Sequence, residues 1–275
     1  MDPTLGQITC FAGSYVPKGF LACDGRTLRM NDYPALGQWL GNTFGGDAAS
    51  TFGLPNLPPV ATLAWGAPPG SSTPGTPMNW IIASEGTAPN SGSLGLVSEV
   101  RPFAQPPDPG GALAQSWLPC DGRVMNIDSS LLLYNLLGNQ FGGKFPTTFA
   151  LPNLPPLEGA SNGAGRPVPL QHYICIDGRY PATDCDAVNP SDSRHFQEGM
   201  MASVCRVATF QAPRLCGFAM LQGQELPTSN NQTLWLLLGN LYGGVANKTY
   251  VLPNVKESED QTSYVMVWTG VFPPH

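Results

Sequence analysis

The chain is short of charge. Only 12% of its 275 residues are Asp, Glu, Lys or Arg, and acids outnumber bases 19 to 13. A net charge of −6 argues against a nucleic-acid partner, because phosphate binding needs clustered Lys and Arg. Long hydrophobic runs are missing too. No apolar stretch approaches ~18 residues, so no membrane span is expected. The opening MDPTLGQITCF lacks the basic start and apolar middle of a standard signal peptide. Export is therefore expected to be unconventional or to occur by lysis.

Catalytic signatures are also missing. There is no HExxH, GxSxG, CxxC or P-loop. Histidine is confined to His172, His195 and His275. The sequence thus predicts no catalytic set, no metal and no cofactor. A glycan hydrolase would have to use the few acids outside turns, such as Glu85, Glu158 and Asp177, and needs two carboxylates converging in one cleft.

What is plentiful is apolar surface and turn residues. Hydrophobic residues make up 42% of the chain, enough for a buried core. Gly 32 and Pro 29 point to a turn-rich, mainly β protein. Seven cysteines leave at least one unpaired within the chain. Nearest-neighbour bridges would join Cys10–Cys23, Cys175–Cys185 and Cys205–Cys216, leaving Cys120. The rival reading is that they are small buried hydrophobes, and spacing alone leaves the choice open.

The dominant signal is repetition. LGNTFGGDAASTFGLPNL at 40–57 returns as LGNQFGGKFPTTFALPNL at 137–154 and LGNLYGGVANKTYVLPNV at 238–255. Gly41, Gly138 and Gly239 hold one place in it; Pro55, Pro152 and Pro253 hold another. Upstream, Gly25, Gly122 and Gly223 mark CDGRTL, CDGRVM and LQGQEL. Downstream, NWIIASEGTAP, HYICIDGRYP and YVMVWTGVFPP close each copy. The organisation is therefore 1–90, 91–182 and 200–275, with a polar connector at 183–199.

One unit reads as follows. An entry strand and a second strand, Phe20 to Cys23, form a hairpin with a longer loop. Asn31 or Asp32 caps a short helix, Pro34 sits in its first turn, and Gly41 ends it. Leu36, Trp39 and Leu40 give the helix one apolar face. A loop with paired glycines, a short TFxLP strand and an apolar closing strand follow. Between the last two lies a Gly/Pro/Ser-rich loop, 65–77 in unit 1, where function would most readily vary. The fold class is mainly β with short helices (α+β).

These markers together resemble the phage tail collar domain, including the bacterial microcystin-dependent protein group. CFAGSYVPKGFLACDG, LGNTFGG and TFGLPNL carry the likeness in unit 1. Unit 2 keeps CDG, LLGNQFGG and TFALPNL; unit 3 departs most, with LQG for CDG and TY for TF. The resemblance implies three tandem copies of a non-enzymatic fibre domain, in a family whose trimers often place one domain per chain around a threefold axis. Some fibre members carry a His-x-His metal site; no such pair occurs here.

Individual residues read blandly beside this. Asp24 and Asp121 sit in turns and are expected to bond local backbone; Gln222 replaces them in unit 3. Asn42, Asn139 and Asn240 follow helix-ending glycines and read as capping residues. Trp39 and Trp235 read as core, whereas Trp65, in the variable loop, is the candidate for a sugar or partner contact. Asn231 and Asn247 lie in N-glycosylation patterns, and 68–77 could carry O-linked sugar. The expected function is a self-assembling subunit of an extracellular fibre or phage tail, its main partner another copy of itself. The alternative is a compact pseudo-trimer whose loops bind a cell-surface glycan.

Overall fold

A computed structural model describes residues 3–66, 72–87, 95–106, 109, 111–157, 159–181, 200–210, 212–256 and 260–274. The connector 183–199, Cys185, His195, Glu158 and His275 lie outside the described residues.

Each unit contains one short helix: α1 (Pro34–Leu40), α3 (Leu131–Leu137) and α4 (Gln232–Leu238). An extra helix, α2 (Ala112–Ser116), precedes the second strand of unit 2. Leu36 and Leu40, Leu133 and Leu137, and Leu234 and Leu238 supply the buried faces. Each repeat helix ends at its glycine, whose φ of 55°, 56° or 51° is a left-handed value that costs a side chain energy.

The start of α1 differs from expectation. Its N-cap is Tyr33, with no side-chain cap bond, because Asp32 N–H donates to Arg29 O at 3.2 Å and turns residues 31–32 away from the helix end. Only α4 carries a side-chain cap: Asn231 Oδ1 accepts from Leu234 N–H at 3.0 Å.

A two-stranded ribbon brackets each helix: β3 (Thr27–Arg29) with β4 (Thr51–Gly53), β8 (Val124–Asn126) with β9 (Thr148–Ala150), and β13 (Glu225–Pro227) with β14 (Thr249–Val251). The repeated glycine and proline join the entry turn to the end of this ribbon. Gly25, Gly122 and Gly223 N–H groups donate to the carbonyls of Pro55, Pro152 and Pro253 at 3.2, 3.1 and 3.3 Å.

The remaining strands form one three-stranded sheet per unit. Unit 1 uses β1 (Ile8–Phe11), β2 (Phe20–Ala22) and β5 (Asn79–Ala83). Unit 2 uses β6 (Glu99–Pro102), β7 (Trp117–Pro119) and β10 (His172–Cys175). Unit 3 uses β11 (Ser203–Val207), β12 (Phe218–Met220) and β15 (Ser263–Val267). The entry and second strands do not pair as the expected hairpin. The closing strand lies between them in all three units, giving β2-β5-β1, β7-β10-β6 and β12-β15-β11. The reason lies in its composition: Trp80 to Ala83 are all buried, so this strand takes the protected central position.

The three sheets then join through their entry strands. Cys10 pairs with Val204 between β1 and β11, and Arg206 pairs with Val100 between β11 and β6. The result is a nine-stranded sheet in a pseudo-threefold arrangement. Equivalent backbone turns precede the three entry strands. Gly6, Ser98 and Ala202 have φ of 75°, 76° and 64°, and their N–H groups donate to Ala83, Cys175 and Val267 carbonyls at 2.9, 2.9 and 3.1 Å.

The third seam, between β6 and β1, has no ladder. Pro102 stands there where Cys10 and Arg206 stand in the other entry strands, and proline has no N–H to give. Aromatic rings line the seam instead, where Trp39 of unit 1 and Phe103 and Trp117 of unit 2 bound a small cavity. A Cβ on Gly6 would lie 2.7 Å from Trp39 Cδ1, and Phe103 packs edge-on to Trp117 at 5.3 Å.

Units 1 and 3 share one hydrophobic core, which runs from Leu5, Phe11 and Phe52 to Leu234, Tyr250 and Met266. Unit 2 has its own, around Leu136, Phe149 and Ile174. The long loops also cross between units. Leu63 N–H donates to Asn254 O at 2.8 Å, Thr76 Oγ1 to Leu241 O at 2.9 Å, and Asn56 N–H to Ser161 O at 2.8 Å.

Candidate functional site

Where the three entry strands converge, alternation along each strand divides side chains between two faces. Ile8 and Cys10, Val100 and Pro102, and Val204 face the packed interior. Gln7 and Thr9, Glu99 and Arg101, and Ser203 and Cys205 face a cavity of about 670 Å³. All three units contribute to its wall, including Phe20, Arg179, Phe218 and Phe272.

Its fixed electrostatic feature is a buried ion pair. Arg101 Nε donates to Glu99 Oε1 at 2.6 Å and Nη2 to Glu99 Oε2 at 2.9 Å. Leu96 N–H adds a bond to Oε2 at 3.1 Å, and the guanidinium lies 5.2 Å from the Trp117 ring centre. Burial works against the Arg101 charge, but the Glu99 carboxylate beside it holds the pKa above its ordinary value. Burial pushes the Cys205 thiol well up, so it is neutral at ordinary pH. The strand face, with its own charges paired, can bind and orient a polar group, and Lys18, Glu85 and Arg179 add charge elsewhere on the wall. Glu99, already bonded three times, is poorly placed to move a proton.

No repeat or motif in the sequence marks this cavity. The one signal available was EVRPF, a strand with two charges on the face that Gln7, Thr9, Ser203 and Cys205 occupy in the other units.

Glu85 and Cys205 aside, the residues singled out from sequence fall elsewhere, mostly in local roles. Asp24 accepts from Arg26 Nε at 2.8 Å, and Asp121 from Arg123 Nε at 2.9 Å. Their partner arginines, foremost, hold both carboxyls below the usual range. In unit 3, Gln224 Oε1 accepts from Gln222 N–H at 3.1 Å instead. Asn139 Nδ2 bonds Thr148 O at 3.0 Å and Asn240 Nδ2 bonds Thr249 O at 2.9 Å, tying each helix end to its ribbon. Glu85 lines the cavity, whereas Asp177 is exposed away from it.

Trp65 is 47% exposed and rests on Gly243 of unit 3, where an added Cβ would lie 2.6 Å from its own Cβ. Trp39 and Trp235 are half-buried against the shared core. Asn247 is exposed in a loop with φ of 59°. Asn231 is half-buried, and its amide donates to Trp268 O at 2.8 Å, which occupies the nitrogen a glycan would need.

The expected disulfides are corrected. Cys10, Cys23, Cys120, Cys175 and Cys205 are free thiols, so neither Cys10–Cys23, Cys175–Cys185 nor Cys205–Cys216 forms. Cys216 is disulfide-bonded. The reason in unit 1 is the strand order. Cys10 pairs with Trp80, and Cys23 N–H donates to Trp80 O at 3.0 Å from the opposite edge of β5. Two strand spacings, about 9–10 Å, exceed the Cα reach of a disulfide.

Among the described residues no group of three or more His, Cys, Asp or Glu could hold a metal ion. Likewise no described helix is long and apolar enough to cross a membrane.

The fold defines a mainly β tandem-repeat protein that builds a threefold-like body from one chain. The family model of the phage tail collar domain matches three times, at residues 6–59, 98–156 and 203–258. The chain belongs to the phage tail collar domain family. That membership implies a structural component of a virion tail. Comparison with curated proteins and with solved structures gave no match.

Proposed function

We propose that this chain is a non-enzymatic structural subunit of a phage tail fibre, in which three collar units on one chain take the place of a trimer. The observation that carries the reading is the pairing of entry strands across units, Cys10 with Val204 and Arg206 with Val100. A unit whose edge strand is completed by a neighbouring unit is built for a threefold body. The two ends of such a body differ. A contact between one end and the other end of the next copy is head-to-tail and propagates into a filament.

Electron microscopy over a concentration series tests this. Uniform fibres that lengthen with concentration are expected. Discrete particles at every concentration would overturn the filament. They would favour the second reading, a compact receptor-binding module, for which the support is Trp65, exposed and braced on Gly243. Asn247, exposed in its sequon, is the position at which attached glycan would be sought first.

A further inference from the structure

The geometry points to the cavity at the junction of the three units as a binding site for a short oligosaccharide. The inference does not depend on fibre formation, since one chain builds the whole cavity.

Three observations carry it. The first is size: about 670 Å³ falls within the roughly 300–1,000 Å³ of small-ligand sites. The second is the mixture of groups. Gln7 Oε1 already accepts from Thr4 N–H and Thr9 Oγ1 already donates to Val204 O, which leaves the Gln7 NH2 to donate, the Thr9 oxygen to accept and the Ser203 hydroxyl to do either, while Phe20, Phe218 and Phe272 offer apolar ring surface. Sugars present the same mixture, with hydroxyl edges and C–H faces, and fit a wall that alternates the two. The third is rigidity. The wall stands on β strands, and Glu99 and Arg101 fix each other with bonds of 2.6 and 2.9 Å. A pre-formed wall costs little ordering on binding.

Gln7, Thr9 and Ser203 come from units 1 and 3 and the Glu99–Arg101 pair from unit 2, while Lys18, Glu85 and Arg179 add further charge to the wall. Sequence divergence among the three copies has therefore made three equivalent positions chemically different. A ligand there would be held in one orientation rather than three.

The test is titration calorimetry at a concentration where light scattering shows single chains. The probes are maltotriose, N-acetylchitotriose and 3′-sialyllactose. At least one is expected to bind, and Ser203→Trp, which puts an indole into the cavity and blocks part of it, is expected to weaken it by about tenfold or more. Leu236→Ala, at an exposed position outside the cavity wall, should leave that affinity unchanged. Should Ser203→Trp fail to fold, Gln7→Ala and Thr9→Val give the same reading, each expected to weaken binding roughly three- to tenfold by removing a polar contact. Absence of binding by all three sugars overturns the proposal. So does binding that Trp65→Ala abolishes and the cavity variants leave intact. Fibre formation is read separately by microscopy, so either idea can fail without the other.

Discussion

Tyr242 of unit 3 donates its hydroxyl proton to the carbonyl of Ala12 in unit 1, at 2.7 Å and across 230 positions of sequence. The other seams are closed at corresponding places by different groups. Gln140 Nε2 donates to Ala208 O at 3.0 Å, and Gln105 Nε2 to Leu40 O at 3.1 Å. Phe44 and Phe141 hold the places in units 1 and 2 that Tyr242 holds in unit 3. The seams share a geometry but not a chemistry.

Tyr242→Phe therefore removes one seam bond and leaves a buried acceptor at Ala12. A loss of about 1–2 kcal/mol in urea unfolding is expected. Unchanged stability would show that solvent satisfies Ala12 as well as Tyr242 does.

Stability should also fall on mild acidification. Burial, first of all, depresses the His172 pKa to about 4, and Arg206 adds to the effect; Nδ1–H donates to Pro155 O at 2.8 Å. An unfolded histidine titrates near ~6.5. The unfolded state thus binds the proton first. The stability from neutral His172 is complete above ~6.5 and drains away as pH falls to about 4, amounting to about 3 kcal/mol. His172→Gln should flatten the stability profile between pH 7 and pH 4.5. An unaltered slope would place the proton uptake elsewhere.

Backbone approach decides a third case. Gly143 has φ of 104°, and a Cβ there would lie 2.4 Å from Phe149 Cα. Gly143→Ala is expected to cost about 3 kcal/mol, through strain and displacement of β9. A shift below ~1 kcal/mol would mean that the loop relaxes freely.

The thiols give a direct chemical check. Burial pushes Cys120 and Cys175 up to about 12, and raises Cys10, Cys23 and Cys205 as well. The native protein should react slowly with a thiol reagent, because the thiolate is the reactive form. Unfolding in urea without reductant should release at least the five reactive thiols of the described free cysteines. Release of three or fewer would point to bridges among these cysteines.

Shared packing predicts the outcome of truncation. Leu5, Phe11 and Ile82 belong to the same core as Leu234, Tyr250 and Met266. A fragment of residues 1–182 should lose cooperative unfolding in unit 1, read by calorimetry. A sharp transition from that fragment would show that unit 1 closes its own core.

The sequence by itself determined the repeat, the helix and its glycine stop, and the mainly β class. These depend on local rules, such as capping, turn geometry and apolar period, and three copies stated each rule independently. The tertiary structure alone decided the rest. It placed β5 between β1 and β2, which separates Cys10 from Cys23, because a fully buried strand competes for the central position. It also joined unit 1 to unit 3 before unit 2, through partners such as Cys10 and Val204 that no spacing connects. The cavity follows from that joining. Thr9, Arg101 and Cys205 share no sequence signature; they share a wall because three strands with the same alternation meet at one place.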